Sequence, residues 1–141
     1  MSFEVKEFLK QLISLAGLSA YEAPARDFIA ETWRPLVDEM NTGRLGSLQA
    51  LSRGHAPEPR PRLLIATHMD AIGLMVSRLD GEFLHVTEMG GVDARILPGQ
   101  AVIVHGRRDL PGVVAQPVPA LLPPGSGDKP VPMEHLLVDV G

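Results

Sequence analysis

The sequence predicts an α/β chain of two unlike halves, and three observations carry that expectation. Helical hydrophobic periodicity is confined to the residues before Pro35. A short apolar run, Arg62 to Thr67, ends in His68-Met69-Asp70. Beyond Gly73 the chain is a series of short strand-like runs broken by turn formers, with no helical period. Periodicity alone leaves two layouts open. One is a single α+β domain; the other is the start of an α/β domain interrupted by an all-β domain.

From Val5 to Ala16, apolar residues fall at Val5, Phe8, Leu9, Leu12, Ile13 and Ala16, one face of a helix. Lys6, Glu7, Lys10 and Gln11 occupy the other face, so this is an ordinary amphipathic surface helix rather than a membrane or partner stripe. Ser2 is placed to cap its start, Glu4 suits the positive end of the helix dipole, and Gly17 is placed to close it. A second helix is expected from about Pro24 to Trp33. Proline suits a first turn, Ala25, Phe28, Ile29 and Trp33 share a face, and Pro35 opposes continuation.

Strands are then expected at Leu36 to Met40 and Ser47 to Ser52, around the turn formers Asn41-Thr42-Gly43-Arg44-Leu45-Gly46. Arg53 to Pro61 holds Gly54, Pro57, Pro59 and Pro61 and reads as a loop. Arg62 to Thr67 is the most apolar strand of this half and is expected to be central.

In the second half, Leu74 to Leu79 and Glu82 to Glu88 flank Asp80-Gly81, a short hairpin signal. Ala101 to His105 and Gly112 to Ala115 add strands on either side of Gly106-Arg107-Arg108-Asp109. Gln116 to Pro132 is proline-rich and extended, and Met133 to Val140 reads as a last strand. Such a pattern fits a small barrel or sandwich. There is no internal repeat.

Composition narrows the function. The 141 residues suffice for a domain with a real core, and 45% hydrophobic with 21% charged residues is ordinary for a globular protein. A net charge of −4 and a pI near 5.7 give no electrostatic case for nucleic-acid binding. The absence of cysteine excludes disulfides and thiolate metal sites, so any metal must be held by His, Asp and Glu. No apolar run approaches the roughly 20 residues that span a bilayer, and no signal-peptide pattern opens the chain. The cytoplasm is the default location.

The chemistry centres on His68 and Asp70. In extended chain, residues two apart point to one side, so these two can face one another where the apolar run stops. A carboxylate beside an imidazole selects its tautomer and makes the other ring nitrogen a better metal ligand. The plainer alternative, a histidine at a strand end followed by a turn, is not excluded by so short a spacing.

The flanking motifs bear on that choice. Gly17-Leu18-Ser19-Ala20-Tyr21-Glu22 lies between the helices and Thr67-His68-Met69-Asp70-Ala71-Ile72-Gly73 follows the apolar run. Gly90-Gly91-Val92-Asp93-Ala94-Arg95-Ile96-Leu97, Gly99-Gln100-Ala101-Val102 and Leu137-Val138-Asp139-Val140-Gly141 come after. In this order the chain resembles the glutamyl and deblocking aminopeptidases, tetrahedral dinuclear-metal exopeptidases of which some were formerly described as endoglucanases. The resemblance runs from about Val5 to the last residue. It implies the second layout: residues 1–71 as the N-terminal part of a metallopeptidase catalytic domain with two helices and about three strands, then residues 72–141 as an inserted, incomplete β-barrel dimerisation domain.

The resemblance also implies function. His68 corresponds to a histidine that binds one of two divalent ions, zinc or cobalt, and Asp70 to the aspartate that orients it. A bridging water would be the nucleophile, peptides the substrate, and the barrel the means of homo-oligomerisation. The family's remaining ligands and its glutamate base lie after the barrel, so this chain is expected to be an N-terminal portion, inactive alone. Two departures stand out. Ala71 occupies a position where the family usually has glutamate, and Val118-Pro119-Ala120 lacks a histidine the family tends to carry.

The other candidates weigh less. His55 lies in a proline-rich loop, His85 alternates with Leu84 and Val86 and faces the polar side, His105 ends a strand, and His135 falls in the last apolar segment. No helix pattern follows Gly90-Gly91, which argues against a phosphate loop and for left-handed backbone with a local Asp93–Arg95 pair. Ser19 lacks a Gly-x-Ser-x-Gly elbow and belongs to the loop between the helices. A non-catalytic barrel that assembles or binds a partner is the main rival function. A different metal hydrolase sharing His-x-Asp comes third, because the glycine motifs also match.

Overall fold

A computed structural model of the protein describes residues 4–122 and 129–141. Ser2 and residues 123–128 of the expected proline-rich loop lie outside the described residues. The chain divides between Ala71 and Ile72 into two compact units.

In the first unit, α1 spans Val5–Ile13 and α2 spans Ala23–Trp33. The first helix stops three residues short of the expected Ala16. Its last turn tightens into i→i+3 bonds, Ser14 N to Gln11 O at 3.1 Å and Leu15 N to Leu12 O at 3.3 Å. The Ser14 hydroxyl also donates to Lys10 O at 2.7 Å, a local bond that competes with helix continuation. Gly17 therefore does not close the helix; its carbonyl accepts from Ala71 N at 2.7 Å. Pro24 sits in the first turn of α2, where its missing N–H costs nothing. The two helices meet through Phe8 and Phe28, whose rings stack at 5.3 Å.

After a 3-10 turn over Arg34–Leu36, β1 (Glu39–Thr42) pairs antiparallel with β2 (Leu48–Leu51). The strand begins later than Leu36 because Pro35 starts a helical turn instead of an extended one. Gly46, at φ +88°, makes the turn between them.

The expected central strand at residues 62–67 is not a strand here. Residues 52–70 carry no regular secondary structure, and Leu63, Leu64 and Ile65 are 88, 87 and 83% exposed. An apolar run becomes a strand only when a neighbouring ladder pairs its backbone. Among the described residues none lies alongside it, so this unit has two strands rather than about three. Ala25 is the buried apolar side chain of the unit among those residues, and Val5, Leu9, Ile13 and Leu45 are also exposed.

The second unit is one antiparallel sheet: β3 (Gly73–Asp80), β4 (Phe83–Met89), β5 (Ala101–His105), β6 (Asp109–Ala115) and β7 (Leu137–Asp139). Their order across the sheet is β3-β4-β7-β6-β5. The hairpin joining β3 and β4 turns on Gly81-Glu82, one residue later than expected. Positive φ at the first turn residue alone, Gly81 at +60°, is the pattern of a type II′ turn. The expected last strand is split, with a 3-10 turn at Met133–His135 preceding β7.

Val86, Leu97, Val114, Leu136 and Val138 form the core of this unit, with Leu74, Leu84, Val102 and Val104 packed against it. The β6–β7 approach is so close that a Cβ on Gly112 would meet Val138 Cγ1 at 2.9 Å and Asp139 O at 3.0 Å. Closure into a barrel requires the first and last strands of the sheet to pair. Among the described residues β3 and β5 remain its two edges, so the sheet is open. No helix of the described residues is long and apolar enough to cross a membrane.

Candidate functional site

The connection between α1 and α2 is a tight turn that presents one hydroxyl. Tyr21 N donates to Leu18 O at 2.7 Å, and Ala20 between them sits at φ +71°. Among the described residues Ala20 is the one non-glycine in the left-handed region, a conformation its Cβ disfavours. Its N–H donates to Glu22 Oε1 at 2.8 Å. Leu18 forms a parallel bridge with Ala71, which ties this turn to the segment carrying His68 and Asp70.

Within that segment, His68 Nδ1 lies 3.0 Å from Asp70 Oδ1 and 3.1 Å from Asp70 O. Both oxygens only accept, so Nδ1 carries a proton, and in the neutral ring the lone pair is then on Nε2. The His68 side chain is 83% exposed and that of Asp70 39%. Asp70 Oδ2 in turn accepts from Ser19 Oγ at 2.5 Å. These bonds, from Ser19 first and His68 second, hold the Asp70 carboxyl below the usual carboxylate range.

Thr67 to Asp70 border a cleft of about 740 Å³ whose other walls include Phe8, Leu12, Ala25 and Trp33. One imidazole nitrogen and one oriented carboxylate face solvent beside a largely apolar hollow. That arrangement supplies a single well-defined electron-pair donor.

It does not supply a complete metal centre. Among the described residues, no three His, Cys, Asp or Glu side chains gather closely enough to hold an ion. The pair itself suits the role of one ligand with its supporting carboxylate, because a neutral imidazole held through Nδ1 offers Nε2. The remaining histidines do not join it. Arg78 Nη2 donates to His85 Nε2 at 2.7 Å, His105 Nδ1 pairs with Asp109 Oδ1 at 2.9 Å, and His135 lies 3.6 Å from Glu134. His55 is exposed in its loop.

Asp93 and Arg95 form the local pair expected of them. Arg95 Nε and Nη2 donate to the carboxylate at 2.9 and 2.6 Å, and Arg95 N donates to Oδ1, capping a 3-10 turn at Ala94–Ile96. Those bonds lower the Asp93 pKa to about 2. Gly90 takes left-handed backbone at φ +79°, with Ile72 close behind it. Sequence reasoning missed the Ser19–Asp70 bond. The motif around Ser19 was visible, but its partner lies 51 residues away.

Comparison with known proteins gives concordant results. The M42 glutamyl aminopeptidase family model matches residues 46–141. Lysyl aminopeptidase of Pyrococcus furiosus is 32% identical over 145 residues, covering 96% of this chain and 39% of that protein. The crystal structure of the TET aminopeptidase from Thaumarchaeota archaeon SCGC AB-539-E09 superposes with a TM-score of 0.86 at 31% identity, over 96% of this chain and 38% of the other. The Pyrococcus horikoshii TET1 peptidase, which can assemble into a tetrahedron or a large octahedral shell, gives 0.76 at 29% identity, over 96% and 40%. The chain thus spans about two fifths of the length of these relatives.

Proposed function

The chain belongs to the M42 glutamyl aminopeptidase family, and on that premise we propose that it serves removal of N-terminal residues from peptides, with His68 as a metal ligand and Asp70 as its orienting carboxylate. The observation that supports this most is the 3.0 Å contact between His68 Nδ1 and Asp70 Oδ1, which leaves Nε2 unengaged and open to solvent. A histidine held in this way is the usual form of an imidazole ligand.

A pair of divalent ions, zinc or cobalt, would supply Lewis acidity and a nucleophilic water at neutral pH. The part of this chain is narrower. Asp70 keeps the ring proton on Nδ1, and its bonds from Ser19 and His68 favour its charged form.

One imidazole does not hold two ions, so the reading requires further ligands and a general base from outside the described residues. The exposed Leu63, Leu64 and Ile65 and the exposed face of α1 favour the same requirement, since apolar patches of this kind mark surfaces that something covers. The 141-residue chain is therefore inactive by itself. The sheet of residues 73–139 carries self-association, in keeping with a relative that builds closed shells. The rival reading, a non-catalytic assembly module, draws on the lack of a three-ligand cluster among the described residues.

Calorimetry with zinc, together with an aminoacyl-p-nitroanilide assay, separates the two. The account expects weak zinc binding that His68→Ala abolishes, and no turnover by the isolated chain. Zinc binding that survives His68→Ala unchanged would remove the ligand role and leave the module as the better account.

A further inference from the structure

We propose that Ser19 is a positioning residue for the His68–Asp70 pair, its hydroxyl fixing the Asp70 carboxylate so that the His68 tautomer exposing Nε2 is the one populated. The consequence for metal binding rests on the reading of His68 as a ligand; the positioning itself does not.

The geometry divides the carboxylate between two donors. Oδ2 takes the Ser19 hydroxyl at 2.5 Å and Oδ1 takes His68 Nδ1 at 3.0 Å. An aspartate held at one oxygen only has a broad, nearly two-fold torsion about its carboxylate. At 39% exposure Asp70 also has water to compete for either oxygen. With Oδ2 pinned, the plane of the group is set and Oδ1 stays aimed at the ring.

Ser19 is itself held. The parallel bridge between Leu18 and Ala71, the Ala71 N to Gly17 O bond at 2.7 Å and the Tyr21 N to Leu18 O bond at 2.7 Å fix the backbone on both sides of it. The residue after it adopts φ +71° in spite of its Cβ. A turn kept in a disfavoured conformation, with its hydroxyl on the carboxylate of a candidate site, is where backbone strain acquires a function.

The order of the groups rules out a nucleophilic role. Ser19 gives its proton to a carboxylate, and the imidazole lies beyond that carboxylate. An activated serine needs the imidazole as its immediate base.

The test uses the 141-residue chain, with the His68 ring nitrogens observed by nitrogen-15 NMR at pH 8.5 and zinc affinity measured by calorimetry. In the parent chain His68 is expected as the single tautomer protonated at Nδ1. Ser19→Ala should mix the two tautomers and weaken zinc by up to about tenfold, the lower end of losses from removing groups behind a ligand. Ser19→Thr, which keeps a hydroxyl, should restore both. Unchanged resonances of the stacked Phe8 and Phe28 rings, in the same unit as Ser19, show that this unit remains folded in Ser19→Ala. A Ser19→Ala ring spectrum identical to the parent overturns the proposal, even if His68→Ala still abolishes zinc binding. A shifted tautomer with zinc binding indifferent to His68→Ala upholds the positioning and overturns the ligand reading.

Discussion

Nδ1 of His68 lies 3.0 Å from Oδ1 of Asp70, a contact between residues two apart on a stretch with no ladder of its own. Because nothing in a sheet holds these residues, the pair depends on the loop from Gly17 to Glu22 that reaches across to Asp70 and Ala71. The candidate site is thus a local motif braced by one long-range side-chain bond, from Ser19 to Asp70, and by the backbone contacts of Gly17 and Leu18 with Ala71. Stability and chemistry should respond separately to changes in these two parts.

The Asp93–Arg95 pair gives the clearest pH dependence. The folded pKa of Asp93 is about 2, below the ordinary value of 3.8, because the Arg95 side chain and backbone N–H bond the charged form. A depressed carboxylate contributes stability above its unfolded pKa and loses it as pH falls through the folded value. The melting-temperature gap between the parent chain and Asp93→Asn should be constant above about pH 5 and shrink between about pH 4 and pH 2. A gap as large at pH 2 as at pH 7 would contradict the pairing.

Burial predicts a contrast between two leucines of the same type. Leu136 is fully buried in the core of the second unit, whereas Leu64 lies almost wholly in solvent. Leu136→Ala should cost about 2–5 kcal/mol, from lost burial and the cavity left behind. Leu64→Ala in the same chain should change stability by less than about 0.5 kcal/mol. Urea midpoints followed by a probe in each unit would check both, and a large loss at Leu64 would show that residues 62–67 are paired after all.

The turn that carries Ser19 makes a third expectation. Ala20 pays about 1–2 kcal/mol for its left-handed backbone, while glycine there would add about 0.4–1 kcal/mol of unfolded-state entropy to be lost on folding. Ala20→Gly should therefore stabilise the first unit by up to about 1.6 kcal/mol, read as a higher melting temperature. Destabilisation would mean that the turn is not held as described.

What was legible in the sequence was what local rules govern. Pro24 placed the start of α2, Asp80-Gly81 placed the β3–β4 hairpin to within one residue, and a spacing of two brought His68 to Asp70. Long-range pairing was not legible. Nothing in Leu137–Asp139 indicates that it inserts between β4 and β6, because any short apolar strand would satisfy that slot's alternation. Residues 62–67 failed as a strand for the converse reason: an apolar run reads alike whether or not its partner is present. The Ser19–Asp70 bond joins residues 51 apart, and no spacing rule reaches that far.

The most direct measurement is the nitrogen-15 shift of the His68 ring as zinc is added to the chain. The account predicts that the Nε2 resonance moves with zinc while Nδ1 stays protonated and bonded to Asp70, and that His68→Ala removes the zinc binding seen by calorimetry. An Nε2 resonance that ignores zinc, with binding equal in the parent chain and His68→Ala, would contradict it.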